Sequence, residues 1–167
     1  YGLGYYEPSS VKHDAKSGSL TTEPQNGAIT RSLPNGSKEI YGRETIVWID
    51  EYQSGTYHWG SKRTRYWLTG KVDPAGNEVE LSYDSLGRLE ALKDPNGLET
   101  TFYYNDPNDD YKVTKIEDPY EREAIFEYNS SGQLETITDI LGIESSFTYS
   151  GGDIIDSLTT PYGSTSF

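Results

Sequence analysis

The sequence predicts an all-β fold of antiparallel β-hairpin repeats that form a curved or spiralling, open-ended sheet. Three observations support this prediction. A turn tetrapeptide recurs about every 21 residues, apolar residues alternate with polar ones between the turns, and the turns are built from Asp, Asn, Pro and Gly. A unit this short cannot bury its own apolar face, so copies of it must stack on one another.

The recurring turns set the length of the unit. The tetrapeptides are Asp73-Pro74-Ala75-Gly76, Asp94-Pro95-Asn96-Gly97, Asp118-Pro119-Tyr120-Glu121, Asp139-Ile140-Leu141-Gly142 and Thr160-Pro161-Tyr162-Gly163. The step from one turn to the next is constant, except that the unit between Asp94 and Asp118 is slightly longer. Proline fixes φ at the second position, and a glycine at the fourth, such as Gly76, Gly97 or Gly142, accepts a positive φ.

Two apolar columns become visible when the four complete units are aligned. Seven places after the last turn residue, the column reads Tyr83, Tyr104, Tyr128 and Tyr149. Two residues earlier, it reads Leu81, Phe102, Phe126 and Phe147. The residues between these columns are mostly polar, and a period of two is the period of a β-strand. Each segment is therefore predicted to be a strand with both columns on one face.

A second strand is predicted upstream of each later turn. Its apolar pairs are Leu89 and Leu92, Val113 and Ile116, Leu134 and Ile137, and Ile155 and Leu158. A spacing of three also suits a helix, but the segments are short, lie between turns and contain Thr, Ile and Val, which favour strands. The turn before it starts with Asp or Asn and ends with glycine, for example Gly132, which suits a type I turn followed by a left-handed residue.

The run Tyr83-Asp84-Ser85-Leu86-Gly87-Arg88-Leu89, followed by Asp94-Pro95-Asn96-Gly97, resembles the signature of the Rhs or YD-repeat family. The resemblance covers roughly residues 66 to 167. In the later units Asp84 is replaced by Asn105, Asn129 and Ser150, and Arg88 by Gln133 in the third. These positions are interpreted as accepting any turn-forming polar residue, so the Tyr-Asp pair is interpreted as structural.

The resemblance implies a family in which many such repeats wind into a hollow shell. Its members are secreted or cell-surface proteins, namely toxin capsules in bacteria and adhesion proteins in animals. About four units are too few to close a shell, so the chain is expected to be a segment of a longer protein or to complete its sheet with further copies of itself. An open strand edge recruits another strand, and the N-terminal segment 1–27 or a neighbouring subunit is predicted to pair with it.

Composition excludes several classes of function. The net charge is −13, with 14 basic and 27 acidic residues, so nucleic acid is not an expected partner. There is no cysteine to form disulfides or thiolate metal sites, and no apolar run is long enough to insert into a membrane. Only 33% of the residues are hydrophobic and 15 are tyrosines, which suits a thin sheet with a large solvated surface.

Three regions are predicted along the chain. Residues 1–27 have little periodicity and are assigned to an irregular N-terminal arm, while residues 28–72 are assigned to divergent, aromatic-rich β repeats. Residues 73–167 are assigned to the YD-repeat array of about four units.

No catalytic residue and no cofactor are expected. His13 and His58 are the only histidines, and neither lies near a serine or an acidic pair at a catalytic spacing. The longer unit carries Asp106, Asp109 and Asp110, which suit either a Ca²⁺ loop or a solvated acidic turn. The acidic turn is favoured and no metal site is assigned, because no spaced Asp/Asn ladder with a closing Glu follows.

Aromatic residues are concentrated between residues 48 and 67 and give the one candidate ligand site, for a glycan. Exposed rings on a sheet stack on the apolar faces of sugars, and nearby acids could bond the hydroxyls. The residues assigned to this site are Trp48, Tyr57, Trp59 and Trp67. The alternative is that these rings pack within the first repeats, as aromatic residues at strand spacing normally do.

Overall fold

A computed structural model describes the backbone of residues 5–6, 13–14, 19–25, 27–53 and 56–167, and the side chains of residues 27–47 and 63–167. The predicted all-β fold is confirmed. The described residues form no helix, 56% of the chain is in strands, and the strands pair antiparallel in open sheets. In the part of the chain that is described, no helix is long and apolar enough to cross a membrane.

The chain divides into two compact units, residues 1–81 with 94–96 and residues 82–93 with 97–167. The strands that begin in the first unit are β1 (Tyr5–Tyr6), β2 (His13–Asp14), β3 (Ser19–Gln25), β4 (Ala28–Ser32), β5 (Lys38–Tyr41), β6 (Arg43–Gln53), β7 (Thr56–Trp67), β8 (Gly70–Val72) and β9 (Glu78–Tyr83). Two sheets result within this unit, one in the order β2-β3-β4-β5-β8-β9 and one in the order β1-β7-β6.

The aromatic-rich segment is a long hairpin inserted between two neighbouring strands. β5 pairs directly with β8, with Glu39 opposite Lys71. β6 and β7 pair with each other over their length in the separate three-stranded sheet. At the base of the hairpin, the Gly42 N–H donates to Thr69 Oγ1 at 2.9 Å and the Thr69 N–H donates to the Ile40 carbonyl at 2.7 Å. The prediction of consecutive divergent repeats over residues 28–72 did not anticipate this insertion.

Part of the N-terminal segment is a strand of the sheet. β3 pairs antiparallel with β4, with Leu20 opposite Ser32 and Thr22 opposite Thr30. Residues 1–27 were predicted to be irregular because their periodicity is weak, but the free edge of β4 offers backbone partners that do not depend on side-chain pattern. Pairing by this N-terminal segment is one of the two alternatives predicted for an open edge.

A small apolar cluster forms the core of the first unit. It consists of Ile29, Tyr41, Tyr66 and Leu68, with Leu81 packed against it. The Tyr41 hydroxyl donates to Glu39 Oε2 at 3.0 Å, and burial together with the nearby Glu39 charge raises the pKa of Tyr41 to about 12.

The second unit is a meander in which each strand pairs with the next. Its strands are β10 (Leu89–Lys93), β11 (Glu99–Tyr103), β12 (Lys115–Glu117), β13 (Glu123–Tyr128), β14 (Leu134–Thr138), β15 (Glu144–Ser150), β16 (Ile154–Thr160) and β17 (Gly163–Ser166). The phenylalanine column faces the apolar residues of the second strands across each hairpin. The pairs are Phe102 with Ile116, Phe126 with Ile137, and Phe147 with Leu158.

Bulges explain the three-residue spacing of the apolar pairs in β14 and β16. Between β13 and β14, Tyr128 pairs with Leu134. Its neighbour Glu127 pairs with Thr136, so Glu135 has no directly opposed residue. The same register shift occurs between β15 and β16. Because one extra residue offsets the alternation of a strand, two apolar residues three positions apart lie on the same face.

Candidate functional site

Most hairpin turns are held by the side chain of an Asp or Asn at their first position, whereas the turn between β4 and β5 begins with Leu33 and is closed by backbone hydrogen bonds. Oδ1 of Asp73 accepts from the N–H groups of Ala75 and Asn77, at 2.8 and 2.9 Å. Residues at the start of three later turns accept from the N–H groups two and four positions on in the same way, namely Asp118, Asn129 and Asp139. This Asx geometry satisfies backbone donors that no strand partner reaches.

The fourth turn residue has a positive φ. The angles are 92°, 84°, 79° and 75° at Gly76, Gly97, Gly132 and Gly142. Glu121 takes the same position with a φ of 61° and is the single non-glycine residue with a positive φ among those described. The left-handed conformation is unfavourable for a residue with a Cβ. The turn therefore imposes this conformation on Glu121 against the intrinsic backbone preference of glutamate.

The tyrosine column joins each repeat to the one before it. The hydroxyls of Tyr104, Tyr128 and Tyr149 donate to backbone carbonyls at 2.8, 2.8 and 2.7 Å. The acceptors are the carbonyls of Leu89, Val113 and Leu134, each 15 residues earlier. Burial raises the pKa of Tyr104 and of Tyr128, so both phenols remain protonated donors at neutral pH.

The column that contains Arg88 is a second link between repeats. Arg88 Nε lies 2.5 Å from Asp84 Oδ2, its Nη1 donates to the Asp110 carbonyl, and its guanidinium carbon lies 4.5 Å from the centre of the Tyr104 ring. Asp110 and Tyr104 both belong to the following repeat. Cation–π contact with a half-buried ring and a charge-assisted hydrogen bond therefore act across the same junction.

The later members of this column make related contacts. Lys112 Nζ lies 4.9 Å from the centre of the Tyr128 ring. Gln133 Nε2 donates to the Gly152 carbonyl at 2.7 Å, again in the following repeat. The sequence interpretation that these positions accept any turn-forming polar residue is thus too broad for this column. Arg, Lys and Gln are all long hydrogen-bond donors, and that shared property is the signal that sequence reasoning missed.

Electrostatics reinforce the turns. Burial of Asp84 disfavours its charged form, but the hydrogen bonds from the backbone N–H and guanidinium of Arg88, with the charge of Arg88, outweigh it and lower the Asp84 pKa. The guanidinium of Arg122 lowers the pKa of Asp118 by hydrogen bonding and charge. Asp84 and Asp118 are therefore ionised acceptors at neutral pH.

The acidic insertion uses its carboxylates to cap its own backbone. Oδ1 of Asp106 accepts from the N–H groups of Asn108 and Asp109, at 2.8 and 3.0 Å. Oδ1 of Asp109 accepts from the Tyr111 N–H at 2.9 Å. Among the described residues, no group of three or more His, Cys, Asp or Glu side chains is arranged to hold a metal ion.

A groove of about 380 Å³ lies in the first unit beside β5 and β8. Leu33, Val72, Val79 and Pro95 contribute apolar surface to it. Glu39 also lines the groove, and its Oε2 already accepts from Arg31 at 3.1 Å and from Tyr41. The carboxylate is thus engaged in holding β4 and β5 together.

Of the four residues predicted to bind a glycan, only the Trp67 side chain belongs to the described part. It is half-buried, and its Nε1–H donates to Thr45 Oγ1 at 2.9 Å. The side chains of Trp48, Tyr57 and Trp59 lie outside the described residues. Their assignment to a glycan site stays a prediction.

The Asx turns, the tyrosine hydrogen bonds and the contacts between neighbouring repeats recur along the chain. Comparison with known protein families identifies one of these repeats. Residues 67–99 match the model of the RHS repeat. This segment of the chain carries an RHS repeat. The matched segment includes the Tyr83-Asp84 pair and the Asp94-Pro95-Asn96-Gly97 turn of the first complete unit. A search of curated proteins finds no match to the chain.

The RHS repeat match and the antiparallel all-β fold support a structural repeat role. The polar groups with the most specific geometry support that role. The tyrosine hydroxyls, the Arg88 column and the Asx side chains all hold one strand or one RHS repeat to another.

The tyrosine link leads to a test by removal of one hydroxyl. We expect Tyr128→Phe to lower the free energy of unfolding by about 1 kcal/mol, because a part-buried hydrogen bond to the Val113 carbonyl is lost while the ring remains. Urea denaturation measures the change. Tyr120→Phe is the matched control, since Tyr120 is 65% exposed at a turn, and it should leave stability unchanged. Equal effects of both variants would contradict the role of the tyrosine column.

The lowered Asp84 pKa leads to a pH test. A carboxyl with a depressed folded pKa stabilises the fold above its unfolded pKa of about 3.9, and this contribution is lost as pH falls through the folded pKa. Asp84→Asn with Arg88→Gln recreates the uncharged pair present at Asn129 and Gln133. We expect the urea midpoint of this double variant to fall less than that of the wild type between pH 6 and about pH 3.

The reverse exchange is the control for the pH test. Asn129→Asp with Gln133→Arg should make the midpoint fall more steeply over the same range. Identical slopes in all three proteins would mean that the Asp84–Arg88 pair does not carry the acid sensitivity.

Proposed function

We propose that this chain is a non-catalytic structural segment of an extracellular or cell-surface RHS-type protein, where it builds the wall of a shell or fibre by strand stacking. The observation that carries the proposal is the recurring tyrosine hydroxyl bond, which places one specific polar contact per repeat at the junction with its neighbour. A repeat array of this kind is stabilised by nearest-neighbour contacts and extends by adding units.

A non-catalytic role is supported by the use made of the acidic side chains. The Asp84, Asp118 and Asp139 carboxylates accept backbone or arginine hydrogen bonds within their own turns. A catalytic acid or base needs a proton-transfer partner in a cleft, and these carboxylates lie in exposed or half-exposed turns instead. The extracellular location rests on the family assignment.

Assembly of the wall is proposed to use the edge of β17, through adjacent repeats or further copies of the chain. Within the described residues, β17 pairs with β16 alone. The Phe167 N–H donates to the Asp156 carbonyl at 2.9 Å. Because N–H groups alternate along a strand, those of Ser164 and Ser166 point away from β16, toward an incoming strand.

Self-assembly of the 167-residue chain tests this proposal. We expect sedimentation velocity to show oligomers that grow with concentration, and Ser166→Pro to shift them to monomer by removing an outward donor without breaking the pairing with β16. Ser85→Pro, at an exposed turn position away from β17, is the control and should leave assembly unchanged. A wild-type chain that stays monomeric at every concentration would contradict assembly through this edge.

Carbohydrate binding by the β6–β7 hairpin is the second proposed function. It is favoured by the position of the hairpin in a sheet of its own, outside the strands β4, β5 and β8 that continue through its base. Binding to a polysaccharide array should be lost when Trp48 and Trp59 are both changed to Ala. Tyr120→Ala is the control, since it removes an exposed ring far along the sequence. If the double variant still binds the polysaccharides, carbohydrate binding by these tryptophans is contradicted.

A further inference from the structure

Three turns of the second unit carry large apolar residues at their tips. They connect β12 to β13, β14 to β15, and β16 to β17, and since the strands are antiparallel neighbours these turns lie along one border of the sheet. Their tip residues are Tyr120, Ile140, Leu141 and Tyr162, which we call the tip row. The exposed fractions are 65%, 49%, 77% and 88%.

Turn chemistry does not require these residues. The turns Asp73-Pro74-Ala75-Gly76 and Asp94-Pro95-Asn96-Gly97 have small or polar residues at the position of Tyr120, Leu141 and Tyr162. Their fourth residues have the same positive φ as Gly142. A Cβ built on Gly142 or Gly163 would meet no atom within 4 Å, so the space around these tips is open. The Tyr120 ring lies 5.3 Å from the guanidinium carbon of Arg122, whereas the exposed Leu141 and Tyr162 side chains are not needed by their turns.

The opposite border of the unit is different in character. The turn between β13 and β14 has Ser130 and Ser131 at its tip, and the turn between β15 and β16 has Gly151 and Gly152. The opposite border also has exposed apolar residues, Leu86, Tyr111 and Ile154, but its serine turn interrupts them, whereas the tip row occupies three successive turns. An uninterrupted run of exposed apolar residues marks a docking surface better than scattered exposure does.

Charge indicates the chemistry of the partner. The second unit has 16 acidic and 5 basic residues, a net charge of −11 out of the −13 of the whole chain. Glu121, Glu123 and Glu144 are exposed on or beside the tip row, and of these Glu123 is paired with Lys115 at 2.7 Å. Arg122 is the single basic residue within the three turns, and it is already paired with Asp118. Packing of one tip row against the tip row of a second copy would bring glutamates close to glutamates and be repelled, whereas a basic partner would be attracted.

Spacing indicates the shape of the partner. Successive tips are two strands apart, which is about 10 Å. Two turns of an α-helix advance seven residues, or about 10.5 Å. A helix lying along the border therefore presents the same face to each of the three tips.

We propose that the tip row is a docking surface for a basic amphipathic α-helix of a partner protein. One apolar residue in each heptad of that helix contacts the tip row. Lysine or arginine residues of the helix face the flanking glutamates. Helix-in-groove recognition uses anchors at such spacings. The proposal goes beyond the structural role of the repeats, since that role uses the strand pairing and the junctions rather than the tips.

The test measures binding of a synthetic peptide to the full chain by fluorescence anisotropy at physiological salt. The probe is a peptide of three Leu/Lys/Ala heptads with its leucines on one helical face, and the control peptide is a scrambled sequence of the same composition and charge. The tip variant is Tyr120→Ser, Leu141→Ser and Tyr162→Ser. The matched variant is Leu86→Ser with Tyr111→Ser, which removes exposed apolar residues, 52% and 67% exposed, from turns on the opposite border.

We expect the heptad peptide to bind the wild type and the matched variant equally, and the tip variant at least about tenfold more weakly. All substitutions are charge-neutral, so a purely electrostatic association would be the same in every protein, and that result would overturn the proposal. Equal binding of the scrambled peptide, or no binding to the wild type, would also overturn it. Sedimentation without peptide tests whether a second copy of the chain binds the tip row instead. Self-association that is present in the wild type and lost in the tip variant would assign the tip row to a second copy.

Discussion

The hydrogen bond from a tyrosine hydroxyl to the backbone carbonyl 15 residues earlier is the interaction on which the rest of the second unit depends. It fixes the ring across the junction between repeats, so the ring is positioned for Arg88 or Lys112 to lie over its face. At Leu134, the acceptor of Tyr149, it also satisfies a carbonyl beside the bulge, where ladder pairing is interrupted. One polar contact thus sets the spacing of each repeat relative to the last.

This dependence follows from how little of the sheet is buried. In the second unit the buried residues are Leu89, Ala91 and Thr136, while the Phe and Tyr columns are half-buried. Apolar burial alone stabilises such a sheet weakly, since the contribution scales with the area removed from water. Asx turns, tyrosine bonds and the donors of the Arg88 column supply directional contacts that specify register where packing does not. Tyr104, Tyr128 and Tyr149 each supply one such contact at a junction between repeats.

The sequence predicted the part of the fold that repeats and missed the parts that occur once. Period and alternation predicted the strands of the phenylalanine column because five turns and four complete units carry the same signal. The three-residue spacing of Leu134 and Ile137 was ambiguous, since a bulge offsets alternation without any residue that marks it. The β6–β7 hairpin was missed for another reason. Alternating apolar residues predict strands but not their partners, and the pairing of Glu39 with Lys71 across the whole intervening hairpin has no local signature. Likewise, the candidate glycan residues were predicted from composition, whereas the role of Arg88 in the junction became apparent only from its contact with Asp110.

The base of that hairpin has a consequence for how such a sequence diversifies. Gly42 and Thr69 close the sheet beneath the hairpin, and a Cβ on Gly42 would come within 2.7 Å of Thr69 Oγ1. Because β5 and β8 pair there, their register does not depend on the residues at the far end of the hairpin, whereas Tyr66 near its base belongs to the core. The outer part of the β6–β7 hairpin could therefore be replaced by another sequence, in evolution or by design, while β5 and β8 keep their pairing.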